Sequence, residues 1–145
     1  MALNDHLTWL AYNANLLSQI FGKSNIQMDI TNVAYIRIRD YPLPSNWKQT
    51  NTPLLIVFDN PANIFVTAPD RFYINKGLKS ICGAKPTHYY ENKGFNDLSH
   101  LRWARYSFHI GSNWKPSRRL IKGTTLIDVL DALHLSMTQA GDRIE

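Results

Sequence analysis

The sequence predicts an α+β fold, with one helix near each end of the chain and a run of antiparallel strands between them. Apolar residues repeat at helical spacing near both termini and alternate with polar residues from residue 26 onward. The chain of 145 residues, 44% of them hydrophobic and 19% charged, has the size and composition of one packed domain. We therefore expect a single domain over residues 1–145.

The first helix is indicated by apolar residues that recur at alternating steps of four and three. They are Leu3, Leu7, Leu10, Ala14, Leu17 and Phe21. Asn4 or Asp5 can cap the start of this helix, and Gly22 can end it.

The strands begin where the apolar period changes from helical to alternating. Residues 26–30 and 35–39 alternate in this way, which predicts two strands joined by a turn at Thr31-Asn32. Two prolines in YPLPSNW interrupt the pattern. The continuous apolar run PLLIVF at 53–58 then predicts a third strand in the centre of the sheet.

The second half of the chain contains a long segment without periodicity. After a short extended piece at 72–74, residues 75–101 are predicted to be mostly irregular, and a segment of that length is typical of a functional loop. Thr124 can cap the closing helix. Its apolar face is formed by Leu126, Ile127, Val129, Leu130, Leu133 and Met137.

Charge and cysteine content exclude several classes of protein. The net charge of +5 attracts anionic partners, but 16 basic against 11 acidic residues is a modest excess for a nucleic-acid-binding protein. No apolar run reaches the roughly 20 residues of a membrane helix, and Met1 does not open a signal peptide. We expect a cytoplasmic protein without membrane contact. The single cysteine, Cys82, excludes an internal disulfide and a multi-thiolate zinc site.

Cys82 is a candidate nucleophile because it lies in the long irregular segment. Lys76 and Lys79 would favour its thiolate, and Gly83 leaves room for a substrate to approach. Free cysteine is also among the most buried residue types, so Ile81-Cys82 can equally be a small apolar plug beneath a loop. The sequence leaves both interpretations open.

Ser107 and His109 are a second candidate pair. In an extended chain they point to the same face, and a serine beside a histidine base can carry an acyl group as an ester. The alternative, which the pattern favours, is that both only pack or form hydrogen bonds. His88, His100 and His109 lack the spacing of a zinc site, so we expect no metal.

The stretch RWARYSFHIGSNWKPSRRL at 102–120 mixes arginines with aromatic rings. A single-strand nucleic-acid groove uses such residues, but alternation would place Arg105 with Trp103 and Arg102 with Tyr106, so cations and rings do not separate. We therefore predict that the rings belong to the core and that the arginines face a protein partner.

The order of these elements resembles the ubiquitin-conjugating-enzyme (UBC) fold over roughly residues 26–137. PLLIVF, PANIFVTAPDRFYI and NWKPSRRLIKGTTLIDVLDAL carry the resemblance. Within that superfamily, YPLPSNW, PDRFYI and RWARYSFH followed by NWKP are similar to a divergent bacterial branch, prokaryotic family E.

The resemblance implies a protein that accepts a ubiquitin-like modifier from an activating enzyme and transfers it to a target, without a cofactor, in a conjugation pathway of antiphage defence. The family's His-Pro-Asn before the acceptor cysteine is missing here. Residues 107–110, Ser-Phe-His-Ile, stand in place of its Cys-Leu-x-Ile. Cys82 or Ser107 would then be the acceptor, with His109 beside the serine. The alternative is a catalytically inactive UBC-fold module that binds the modifier or its activating enzyme.

Overall fold

The computed structural model describes residues 5–92 and 102–142, which contain two α-helices and a six-stranded antiparallel sheet. The helices are α1 (Asp5–Phe21) and α2 (Leu126–Asp142). The strands are β1 (Ile26–Asp29), β2 (Ala34–Pro42), β3 (Asn51–Phe58), β4 (Arg71–Asn75), β5 (Tyr89–Tyr90) and β6 (Trp103–Ser107), in the spatial order β1-β2-β3-β4-β6-β5. The predicted α+β class is confirmed. Neither described helix is long and apolar enough to cross a membrane.

Helix α1 follows the predicted apolar spacing. Trp9, Leu10 and Leu17 are buried on its inner face. Gly22 ends the helix as predicted: its φ is +94°, and its N–H donates to the carbonyl of Ser18 at 2.9 Å. The proposed cap Asn4 lies outside the described residues, and the described part of the helix begins at Asp5.

Strand β3 has the predicted central position but starts earlier than predicted. It begins at Asn51, two residues before the apolar run, and continues through Pro53. Proline has no N–H for the ladder, and β2 is irregular opposite it, between Ile38 and Tyr41. Pro53, which the sequence pattern suggested as the start of the strand, therefore lies inside it.

The segment predicted as irregular contributes one very short strand to the sheet. Strand β5 has only two residues, and pairing of Tyr89 with Tyr106 and of Tyr90 with Arg105 places it at the edge. Two residues are too few to produce a readable period, so the sequence did not indicate it. Part of the predicted irregular segment, residues 93–101, lies outside the described residues.

The start of α2 corrects the predicted cap. Thr125, not Thr124, precedes the helix, and its N–H donates to the carboxylate of Asp128 at 2.9 Å, as in a capping box. The hydroxyl of Thr124 accepts the N–H of Lys115 at 2.8 Å and donates to the carbonyl of Asn113 at 2.9 Å. Thr124 therefore stabilises the loop before the helix, whereas Thr125 caps the helix.

The sheet buries side chains on both of its faces. On the inner face, Ile36, Ile56, Phe72 and Tyr106 are consecutive partners across four strands and belong to the main core with both helices. The opposite side, here called the outer face, carries a smaller buried cluster. Its members are Tyr35, Leu55, Val57, Tyr73 and Trp103.

Three of the four aromatic rings of the basic stretch at 102–120 are buried, as predicted, and Phe108 is half-buried against the core. Trp103, Tyr106 and Trp114 are 3%, 0% and 8% exposed. Trp114 donates its indole N–H to the carbonyl of Ile64 at 2.8 Å and meets Trp9 edge-on, with 5.6 Å between ring centroids. These rings hold the segment in place and leave exposed the arginines at 102, 118 and 119.

Candidate functional site

Cys82 lies at the tip of a tight turn formed by residues 80–84. The N–H of Ser80 donates to the carbonyl of Ala84 at 2.8 Å, and the N–H of Gly83 donates to the carbonyl of Ser80 at 2.9 Å. Gly83 has a φ of +88°, the left-handed conformation that a three-residue hairpin loop with a bulge requires. The turn exposes the Cys82 side chain to solvent.

Three hydrogen-bond donors of the turn contact the exposed Cys82 thiol. Its Sγ lies 2.9 Å from the Oγ of Ser80, a fully buried side chain. The hydrogen bond from Ser80, and after it the backbone N–H groups of Ala84 and of Cys82 itself, hold the pKa of the Cys82 thiol below its usual value. The turn therefore favours the thiolate, which is the nucleophilic form of cysteine.

Two expectations about Cys82 are corrected by this environment. Cys82 and Ile81 are both exposed, Ile81 by 66%, so they do not form an apolar plug beneath a loop. Lys76 and Lys79 are exposed and are not among the groups that lower the thiol pKa. Hydrogen bonds from Ser80 and from the backbone of the turn stabilise the thiolate in place of the lysine charges that the sequence suggested.

The turn is attached to the C-terminal half of α2 through two neighbouring residues. Trp47 pairs with Ser80 in an isolated antiparallel bridge, and its indole N–H donates to the carbonyl of Met137 at 2.7 Å. The carbonyl of Asn46 accepts the N–H of Ile81 at 2.8 Å, while its side-chain amide donates to a carbonyl of α2. The position of the thiol thus depends on a helix that is distant in sequence.

Aromatic rings fill the space beneath the turn. Trp47 meets Tyr89 and Tyr106 with 6.1 and 6.3 Å between ring centroids. The hydroxyl of Tyr89 accepts the N–H of Leu78 at 3.2 Å and donates to the carbonyl of Asn75. Burial raises the pKa of Tyr106 to about 12 and also raises the pKa of Tyr89. Both phenols are therefore neutral at physiological pH, and they contribute packing and hydrogen bonds.

The structure does not bring Ser107 and His109 together as a catalytic pair. Ser107 is the last residue of β6, and its N–H donates to the carbonyl of His88 at 2.8 Å. The side chain of His109 is 64% exposed, and its Nδ1 lies 3.9 Å from a carboxylate oxygen of Asp70. No hydrogen bond within residues 5–92 and 102–142 joins the serine to the histidine. The chain leaves the strand after Ser107, so the predicted alternation ends before His109.

The described residues do not form a cluster of possible metal ligands. Residues 5–92 and 102–142 contain no group of three histidine, cysteine, aspartate or glutamate side chains that could hold an ion. His88 and His109 are both exposed, and His100 lies outside the described residues.

Sequence reasoning missed Ser80 and Trp47 as parts of the site. Ser80 stands three residues before Gly83, and serine with glycine is a common composition for a hairpin loop. That signal could have predicted the turn. Nothing local predicts that Trp47 supports it, because the bridge joins residues 33 positions apart, Trp47 and Ser80.

We expect Ser80→Ala to raise the pKa of the Cys82 thiol, because the substitution removes its strongest hydrogen-bond donor. The pH dependence of alkylation by iodoacetamide measures this directly, since the chain has one thiol. The variant should react more slowly at neutral pH and reach its plateau at higher pH than the unsubstituted chain. Ser45→Ala, at an exposed serine, is the control. An unchanged profile for Ser80→Ala would show that the hydroxyl does not stabilise the thiolate.

No family model, curated protein or solved structure matches this chain.

Proposed function

We propose that this chain is a UBC-like conjugating enzyme that carries a ubiquitin-like modifier on Cys82. The Cys82 thiolate attacks the thioester carbonyl of the modifier's C-terminus on an activating enzyme. A new thioester forms, and the thiolate of the activating enzyme leaves. An amine of the target then attacks this thioester, an amide forms, the amine loses its proton to solvent, and the Cys82 thiolate leaves.

The observation that carries the proposal is an exposed thiol of lowered pKa at the tip of a turn. Transfer of an activated acyl group needs an accessible nucleophile and little further chemistry. A lowered pKa raises the thiolate fraction at neutral pH and makes the same sulfur a better leaving group in the second step. The same donors from Ser80 and Ala84 would favour departure of the sulfur as a thiolate.

Cys82 is favoured over Ser107 as the acceptor. A serine hydroxyl needs a neighbouring base to become nucleophilic, and His109 lies beside Asp70 instead of Ser107. The arrangement of the described residues also suits the resemblance noted in the sequence. An opening helix, an antiparallel meander from β1 to β4, a thiol in the crossing after β4 and a closing helix follow in the expected order.

The second candidate function is an inactive UBC-fold module that binds the modifier or its activating enzyme. The surroundings of the Cys82 sulfur favour this second function. Within the described residues, its partners are one hydroxyl and backbone N–H groups, and none is an acid or base that could take the proton of an attacking amine. The same resemblance is the basis for placing either activity in the bacterial cytoplasm, in an antiphage conjugation pathway.

The intact mass of the chain, measured after incubation with ATP and the modifier and activating enzyme from the same operon, tests the proposal. We expect an adduct that a thiol reductant removes, that Cys82→Ala abolishes and that Ser107→Ala retains. A reductant-resistant, hydroxylamine-labile adduct lost in Ser107→Ala would move the acceptor to the serine. A stable complex without any adduct would overturn enzymatic transfer in favour of the binding module.

A further inference from the structure

Four arginines gather on the outer face of the sheet. They are Arg37, Arg39, Arg102 and Arg105, here called the arginine cluster. Register places Arg37 and Arg105 on this face: Arg37 pairs with Leu55, Leu55 with Tyr73, and Tyr73 with Arg105. Leu55 and Tyr73 belong to the buried cluster of the outer face. The arginine cluster lies on strands β2 and β6 and directly before the start of β6, separate from the Cys82 turn at 80–84.

Two arginines of the cluster contact Trp103. The guanidinium carbons of Arg37 and Arg102 lie 5.6 and 5.5 Å from the centroid of this indole ring. Both distances are within the range of a cation–π contact. Two cations therefore lie against the same ring, and the charge of Arg102 acts on Arg37.

Carboxylates of the described residues do not neutralise these cations. The described ion pairs are Arg71–Asp59, Arg118–Asp5 and the contact of His109 with Asp70, and none includes the arginine cluster. The Nε of Arg37 is buried and lacks a hydrogen-bond partner. Burial, followed by the charges of Arg102 and Arg39, lowers the pKa of Arg37. A buried donor without a partner destabilises the fold, and the described residues supply neither an acceptor for this donor nor a carboxylate for the cluster.

The form of the cluster distinguishes between kinds of anionic ligand. A groove for single-stranded nucleic acid presents open ring faces on which bases stack. Here Trp103 and Tyr73 are only 3% and 2% exposed, so they offer no stacking surface. The cations are all arginines, whose planar forks bind carboxylates and phosphates in pairs of parallel hydrogen bonds. Without a stacking surface, the carboxylates of a peptide fit the cluster better than a nucleic-acid strand does.

We propose that the outer face of the sheet binds an acidic segment of a partner protein through Arg37, Arg102 and Arg105. Aspartate or glutamate carboxylates of that segment would pair with the guanidinium groups and supply the counter-charges that the described residues lack. This interaction does not depend on Cys82, so it can hold whether or not the chain carries a modifier.

A fluorescent glutamate-rich peptide of about ten residues, long enough to cross the face of the sheet, is a suitable probe. Fluorescence anisotropy at low salt should show binding to the full chain. The double variant Arg37→Gln/Arg102→Gln should bind about tenfold more weakly or worse, as expected when arginine contacts at the centre of an interface are lost. The control Arg119→Gln/Lys122→Gln removes the same net charge from an exposed loop and should retain binding.

Three further measurements keep the proposal falsifiable. Arg105→Gln should also weaken binding, and it leaves the buried Nε of Arg37 undisturbed, which guards against a folding defect in the double variant. The indole N–H resonance of Trp103 should shift on titration with peptide, and Cys82→Ser should bind as the unsubstituted chain does. The last result separates failure of this proposal from failure of the transfer function.

Three results would overturn the proposal. The first is equal weakening in the double variant and its control, because binding would then follow net charge alone. The second is tighter binding of a single-stranded oligonucleotide of about 12 nucleotides through the same arginines, which would identify a nucleic-acid site. The third is the absence of peptide binding at low salt, where charge attraction is strongest.

Discussion

Replacing Trp47 with alanine is expected to lower the free energy of unfolding by about 3–5 kcal/mol. The side chain is 2% exposed and contacts the rings of Tyr89 and Tyr106. Its removal would leave a cavity between the sheet and α2 and would also remove the hydrogen bond to the carbonyl of Met137. Urea denaturation followed by circular dichroism measures the change.

Trp47→Phe is the matched control for this prediction. Phenylalanine retains a ring in the cavity but cannot donate to Met137, so we expect a smaller loss of about 1–2 kcal/mol. Trp47→Ala should also increase hydrogen exchange at residues 80–84, because Trp47 pairs with Ser80 across the bridge that holds the Cys82 turn. A loss below about 1 kcal/mol for the alanine variant would contradict the central packing role of Trp47.

Replacing Asn13 with leucine is expected to lower the free energy of unfolding by about 2–3 kcal/mol, because a buried N–H would lose its partner. Asn13 lies on α1 and is fully buried. Its Oδ1 accepts the N–H of Leu126, the first residue of α2, at 2.7 Å, and its Nδ2 donates to the carbonyl of Trp9 at 2.9 Å. One helix thus caps the next, and leucine can neither accept nor donate.

Asn15→Leu is the control for Asn13, since Asn15 is an exposed asparagine on the same helix. It should change stability by no more than about 0.5 kcal/mol. Chemical denaturation of both variants under identical conditions makes the comparison. Equal stabilities for the two would show that the contact between Asn13 and Leu126 does not hold the helices together.

Local patterns predicted both helices and the first four strands. The spacing of Leu10 and Leu17 determines which face of α1 is buried, and Gly22 ends the helix because it adopts a positive φ. The alternation around Ile36 and Ile38 specifies strand β2. Such signals lie within a few residues of the element they specify, so they can be read without knowledge of the fold.

The residues around Cys82 illustrate what the sequence predicted only in part. It left open whether Cys82 is a nucleophile in a loop or a buried apolar plug, and the structure exposes Cys82 at the tip of a turn that lowers the pKa of its thiol. The cause of that shift, Ser80, was not predicted, because a hydroxyl two residues away becomes a donor only when the chain turns. The side chains of Ser107 and His109 do not share a face, because strand β6 ends at Ser107 and its alternation does not reach His109.

By itself the sequence determined the α+β class, the amphipathic helices and the burial of the aromatic rings, since each follows from the local order of apolar and polar residues. Tertiary structure alone decided that Asn13 caps α2, that Trp47 supports the Cys82 turn and that Arg37 and Arg102 both lie against the ring of Trp103. The contacts made by Asn13, Trp47 and Arg37 join residues 33 to 113 positions apart. Their partners are selected by strand register and helix packing, which depend on the whole chain and which a local pattern does not encode.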